Sequence, residues 1–277
     1  MAISAKDVKR LRDTTGVGMM DCKRALEEAD GDFEAAIEIL RKKGQKVAAK
    51  RADREAKEGV VVARTSDDGK TSVLVEVNCE TDFVARNEDF QDFAGQVADL
   101  ALVHRPADVD ELLALSLPEN RTVGQAVTDM TGKIGEKIEV RRLAILTSQG
   151  EGQVVSYIHP GSRLGVLVNI SGDGDATSIG RDVAMQVAAL NPVATTREQV
   201  PEDIREKEME IAREAARNEG KPEQILDRIA QGKLDRYFKD FVLVEQPFVK
   251  DSSKSVGDLL EESRLEVQEY VRFALGD

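Results

Sequence analysis

The strongest constraint on this chain is that it repeats itself once. Leu74-Val75-Glu76-Val77-Asn78 returns in position and type as Gly165-Val166-Leu167-Val168-Asn169, and Phe93-Ala94-Gly95-Gln96-Val97-Ala98-Asp99-Leu100 returns as Val183-Ala184-Met185-Gln186-Val187-Ala188-Ala189-Leu190. More loosely, Glu58-Gly59-Val60-Val61 has a counterpart in Glu151-Gly152-Gln153-Val154-Val155, and Gly132-Lys133-Ile134 in Gly232-Lys233-Leu234. One repetition at a spacing of roughly 90–100 residues is too few for a solenoid and describes two homologous halves.

Each half mixes two hydrophobic periods. Val60–Arg64 and Val73–Val77 alternate around Ser66-Asp67-Asp68-Gly69-Lys70, the pattern of a β-hairpin. Glu88 to Val103, with Asn87 as cap, places Phe90, Phe93, Val97, Leu100 and Ala101 on one helical face. A further strand is expected over Ile138–Leu146, and by the repeat its counterpart in the second half is Phe241-Val242-Leu243-Val244. Each half is then a small antiparallel sheet backed by helices, an α+β layer.

Two segments fall outside the repeat. Residues 1–57 hold fourteen Lys/Arg against eleven Asp/Glu in a chain of net charge −13, so a boundary is expected near Gly59. Ser4 and Asp32 are N-cap candidates, and the apolar spacing gives three short helices, the third closed by Gly44. Such a bundle has a thin core and leans on a partner. The basic stretch from Arg41 to Lys57 reads first as a solvated linker helix, with a phosphate-binding arm as the other reading. Residues 201–232 are polar and helical around Gly220-Lys221-Pro222, an inserted helical hairpin that cannot bury both faces alone. The expected division is 1–57, 58–147, 148–200 with 233–277, and 201–232.

Chemistry is scarce. Two cysteines, Cys22 and Cys79, and two histidines, His104 and His159, leave no zinc set and no His-centred triad. Gly16-Val17-Gly18 lacks both the third glycine and the preceding strand of a dinucleotide fingerprint, and no phosphate-binding Gly-x-x-x-x-Gly-Lys-Ser/Thr occurs. Gly172-Asp173-Gly174-Asp175 reads as a turn rather than a calcium loop. No catalytic residue, metal or cofactor is expected. Net negative charge and the absence of Trp argue against a nucleic-acid partner. No apolar run approaches the ~18 residues of a membrane span, and Met1–Asp7 has no signal-type core, so a cytoplasmic location is expected.

One connection is unusual. Cys79-Glu80-Thr81-Asp82-Phe83-Val84-Ala85-Arg86-Asn87 lies between a strand and a helix, yet carries Phe83 and Val84. Phe83 is either a plug between sheet and helix or an exposed wedge flanked by charge. The run Thr81 to Asn87 resembles a signature of the elongation factor Ts family, the guanine-nucleotide exchange factors of elongation factor Tu. Leu11-Arg12-Asp13-Thr14-Thr15-Gly16-Val17-Gly18-Met19-Met20-Asp21-Cys22-Lys23 resembles that family's other signature. Glu245-Gln246-Pro247-Phe248-Val249 with Ser255-Val256-Gly257 is similar to its C-terminal part.

The resemblance covers the chain in order and implies a ubiquitin-associated-like three-helix bundle, a two-part core and a dimerisation-type hairpin, without catalytic chemistry. It implies binding to elongation factor Tu, both GDP-bound and nucleotide-free. Asp82 and Phe83, with Thr81 and Val84, match the segment that intrudes near the partner's magnesium and phosphates, and Ile134 and Gly135 match a contact in the same half. Arg12, Met19, Met20 and Lys23 match the bundle's grip on the nucleotide domain. His159 and Val249 match contacts of the second half, while Lys250 stands where relatives often carry an apolar residue, and the C-terminal helical extension of some relatives is not expected here. A homodimer or two-plus-two complex through 201–232 is a further expectation. The alternatives are an RNA- or ribosome-associated module, a structural dimerisation protein, and an enzyme with a carboxylate site.

Overall fold

A computed structural model describes residues 3–118 and 121–277. Helices α1 (Ala5–Thr15), α2 (Met19–Glu28) and α3 (Phe33–Arg51) form the bundle. Ser4 caps α1 by accepting the Asp7 N–H, and Asp32 caps α3 by accepting the Ala35 N–H at 2.9 Å. Val8, Leu11, Cys22, Leu26, Ala36 and Leu40 meet in its centre.

The first half follows in the order β1 (Glu58–Thr65), β2 (Thr71–Cys79), α4 (Asp82–Ala85), α5 (Glu88–His104), α6 (Val109–Ala114), α7 (Val123–Ile134) and β3 (Glu139–Thr147). Its sheet is antiparallel with β2 central. The second half has β4 (Gln153–Ile158), β5 (Leu164–Gly172), α8 (Ala176–Leu190), the hairpin α9 (Glu202–Asn218) and α10 (Glu223–Phe241), the short pair β6 (Pro247–Phe248) and β7 (Asp251–Ser255), α11 (Val256–Glu262) and β8 (Leu265–Ala274). Its main sheet runs β4-β5-β8.

The two main sheets pack face to face. Val61, Leu74, Leu146, Val154, Leu167 and Phe273 fill the space between them. The outer face of the first sheet carries Val73, Val75 and Val77 against Phe90, Phe93 and Val97 of α5, and that of the second carries Val166, Val168 and Ile170 against Val183 and Val187 of α8. The α+β class is therefore a four-layer helix–sheet–sheet–helix arrangement. Gly165 lets the sheets approach closely: a Cβ there would lie 2.7 Å from the Val61 Cγ1 and 2.8 Å from the Leu74 Cδ1, so these side chains would have to shift.

Two expectations are corrected. Gly44 does not close α3; the helix runs through it to Arg51. Gly44 is buried against Gly132 of α7, where a Cβ on Gly132 would stand 2.5 Å from the Gly44 Cα. The glycine therefore permits a close helix crossing rather than a stop, and the thin bundle leans on its own core. Phe241–Val244 is not the third strand. Phe241 ends α10, and the next residues cross into the body with Leu243 N–H donating to Ala194 O at 2.9 Å. A short apolar run looks like a strand whichever backbone it adopts; here Val242 and Leu243 are buried while Phe241 stays exposed. The third strand is β8, whose alternation slips at Gln268, the extra residue of a bulge opposite Asn169 and Ile170.

In the hairpin, Ala212, Ala216, Leu226 and Ala230 are buried, while Ile211 and Ile225 stay exposed. The second helix continues past Gly232, so Leu234 and Phe238 seat the base of the hairpin on Ala194, Val200 and Val242.

Candidate functional site

The connection after β2 folds into one helical turn, α4, with Thr81 as its N-cap. Phe83 on that turn is 81% exposed, so it is not a plug; Ala85 is the residue that faces the core. Asp82 is half-buried and pairs with Arg86 at 2.9 Å, and Val84 packs partly against the first-half core.

Two carboxylates hold the turn from the sides. Glu136 accepts from the Thr81 N–H at 3.0 Å and from the Thr81 hydroxyl at 2.8 Å. Glu80 receives both hydrogen bonds of the Arg51 guanidinium, at 2.8 and 2.9 Å, and the Lys137 N–H at 2.7 Å. Burial penalises the Glu80 charge, but the Lys137 N–H and Arg51 outweigh it and hold its carboxyl below the usual range. Ile134 and Gly135, the end of α7 and its left-handed cap at φ 81°, therefore stand beside the Asp82–Phe83 turn through Glu136.

The bundle reaches the same edge. Lys133 underlies Gly16, between α1 and α2, and its Nζ meets Asp89 at the start of α5 at 2.6 Å. Met19 and Met20, on the first turn of α2, are 51% and 65% exposed. Asp21 beside them is clamped by Lys43 and Arg24; the Lys43 hydrogen bond outweighs the cost of burial and keeps its carboxyl low. Arg12 and Lys23 are exposed on α1 and α2, Lys23 next to Glu27 at 3.6 Å.

His159 is exposed in the β4–β5 turn, with Tyr157 Oη 2.8 Å from its Nδ1. That turn abuts β1, since the Val61 N–H donates to Ser162 O at 2.7 Å and Arg163 pairs with Glu58, the residue opposite Cys79. His159 thus lies at the same end of the sandwich as the Phe83 turn. Val249 is not joined to that edge by any of these links. It is 47% exposed over α8, where its N–H donates to the buried Gln186 at 2.8 Å, and Lys250 pairs with Asp182 at 2.7 Å. Glu80, Glu136, Arg51 and Gln186 escaped the sequence reading because each acts on a partner far away in the chain.

Burial pushes the Cys79 thiol up to about 12, with the Glu136 charge adding to it, so it is not a thiolate nucleophile at neutral pH. Among the described residues no group of three or more His, Cys, Asp or Glu is placed to hold a metal ion, and no helix is long and apolar enough to cross a membrane. What the arrangement offers is an edge of exposed apolar side chains on braced backbone, suited to contact.

A family model described as Elongation factor TS matches residues 80–277. The chain is 50% identical over 285 residues to the Elongation factor Ts of Prosthecochloris aestuarii, covering 99% of both. It is 51% identical over 286 residues to that of Chlorobium limicola and 48% over 286 to that of Chloroherpeton thalassium, each again at 99% of both chains.

Proposed function

Since the chain belongs to the elongation factor Ts family and so to the translation elongation factors, we propose that it is the exchange factor that releases GDP from elongation factor Tu. The observation that carries this reading is Phe83, 81% exposed on a turn fixed from both sides. Solvated phenylalanine on rigid backbone loses little freedom on docking, which is what an interface hot spot requires. Asp82 and Phe83, flanked by Thr81 and Val84, enter the partner near its magnesium and phosphates; Ile134 and Gly135 support them. Arg12, Met19, Met20 and Lys23 hold the nucleotide domain, and His159 and Val249 hold another domain.

The chain needs no catalytic group for this. It needs only to bind the nucleotide-free partner better than the nucleotide-bound one. Magnesium bridges the phosphates, so displacing its ligands weakens nucleotide binding. The work is done in the cytoplasm, with no cofactor, membrane or nucleic-acid partner. The test is release of a fluorescent GDP analogue from loaded elongation factor Tu: substoichiometric chain should accelerate it, and an unchanged rate at excess chain would overturn the reading.

The hairpin supports self-association, of the chain or of two complexes. Ile211 and Ile225 are exposed on it, and its ion pairs, such as Arg213 with Asp227 at 2.7 Å, are on the surface and contribute little to its own stability. Replacing residues 211–229 by a short Gly-Ser turn keeps the base formed by Leu234 and Phe238. Light scattering should then report a smaller particle than the intact chain gives, alone or in complex; equal stoichiometry would exclude the role.

A further inference from the structure

We propose that Glu136 is a positioning residue for exchange: it touches Thr81, and through Thr81 it sets the aim of Phe83. The proposal rests on the exchange reading above. A four-residue helix such as α4 cannot hold itself, because one turn fixes several dihedrals for a single hydrogen bond. Its order comes from its cap. The Thr81 hydroxyl has one proton and gives it to Glu136, leaving the oxygen free to accept the Val84 N–H at 3.5 Å. The Thr81 N–H, which precedes the helix, goes to the other Glu136 oxygen. Both oxygens are thus engaged by one residue, and Glu136 directly follows Gly135, the left-handed cap of α7.

This gives the turn a rigid mount. α7 crosses α3 at Gly132 and Gly44, and α3 ends in Arg51, which grips Glu80 on the other flank of the same loop. The bundle that carries Met19 and Met20 and the turn that carries Phe83 therefore share one frame. Loss of Glu136 leaves Phe83 present and exposed but poorly aimed. A wedge that samples many directions binds the partner's transition toward the empty state less well, while contacts made elsewhere keep overall affinity.

Three measurements on the full chain decide it. In Glu136→Ala, the maximal rate of GDP release at saturating chain should fall about tenfold, the scale of a lost charge-assisted hydrogen-bond pair. The half-saturating concentration should stay within about twofold, because the docking residues are untouched. Amide hydrogen exchange at Thr81 should rise at least about tenfold. Glu136→Gln keeps one acceptor oxygen and should recover part of the rate. In a Phe83→Ala background, Glu136→Ala should add little further loss, since both act through one group. Additive losses, unchanged exchange at the Thr81 amide, or a raised half-saturation at full maximal rate would each overturn the proposal, the last by making Glu136 a direct contact. If the unaltered chain does not accelerate GDP release, the exchange reading fails first and this one falls with it.

Discussion

Phe83→Ala is expected to slow catalysed GDP release by roughly tenfold to a hundredfold, the consequence of losing about 1.4–3 kcal/mol at an interface hot spot. The same variant should melt within about 0.5 kcal/mol of the parent, because a side chain 81% exposed leaves no cavity when truncated. The two readouts separate cleanly. A packed phenylalanine would cost ~3–5 kcal/mol of stability instead. Asp82→Ala should act in the same direction but less, since the Asp82 carboxylate is partly solvated and already paired with Arg86. A Phe83→Ala chain that melts far earlier yet exchanges nucleotide normally in the cold would end the wedge account.

Glu76→Ala is expected to destabilise the sandwich strongly. Glu76 is fully buried on the central strand β2, on the face that meets the second sheet. A bulge in β3 leaves Arg141 without a partner across the ladder and puts it beside Arg142, so two guanidinium groups converge on one carboxylate: Arg141 Nη1 at 3.0 Å and Arg142 Nε at 2.9 Å. Arg142 also lies over the Phe273 ring at 4.4 Å and donates to Ala274 O at 3.0 Å, and Arg141 reaches the Asp277 carbonyl. The cluster joins the two halves. Removing the anion leaves two cations with no counter-charge, which costs ~3–5 kcal/mol for a buried pair, toward the lower end here because both arginines retain some contact with water. Thermal unfolding should shift down by about 5–10 °C. Replacing Glu76, Arg141 and Arg142 together by apolar residues should recover most of that. A Glu76→Ala chain that melts like the parent would mean the guanidinium groups are already satisfied by solvent.

Much of this architecture is legible in the sequence where local chemistry decides it. Ser4, Asp32 and Asn87 are read as caps because each must satisfy orphan N–H groups, and each does. The β1–β2 hairpin follows from its period and its Asp-Gly turn, and the repeat gives two halves. The misreadings share one cause. Gly44 and Phe241–Val244 take their conformation from what they pack against, Gly132 in one case and the crossing at Ala194 in the other. The β8 pattern is broken by one bulge residue, so a period of two could not find it. Phe83 could not be placed by any period, since a lone aromatic in a connection has none. Its exposure came from the structure, while its match to a family signature came from resemblance. Glu76 inside a valine strand is a buried charge that alternation alone assigns to solvent.

The central claim is a thermodynamic one: the chain distinguishes empty from nucleotide-loaded elongation factor Tu. If it weakens GDP binding a thousandfold, a coupling of about 4 kcal/mol, then GDP must weaken its own binding by the same factor. The direct measurement is calorimetric titration of the chain into elongation factor Tu, once freed of nucleotide and once saturated with GDP and magnesium. The account predicts tight binding to the empty form and a loss on loading that equals, within error, the factor by which the chain raises the GDP dissociation constant. Equal affinity for the two forms would contradict it, because a protein that binds both states alike cannot shift the balance between them.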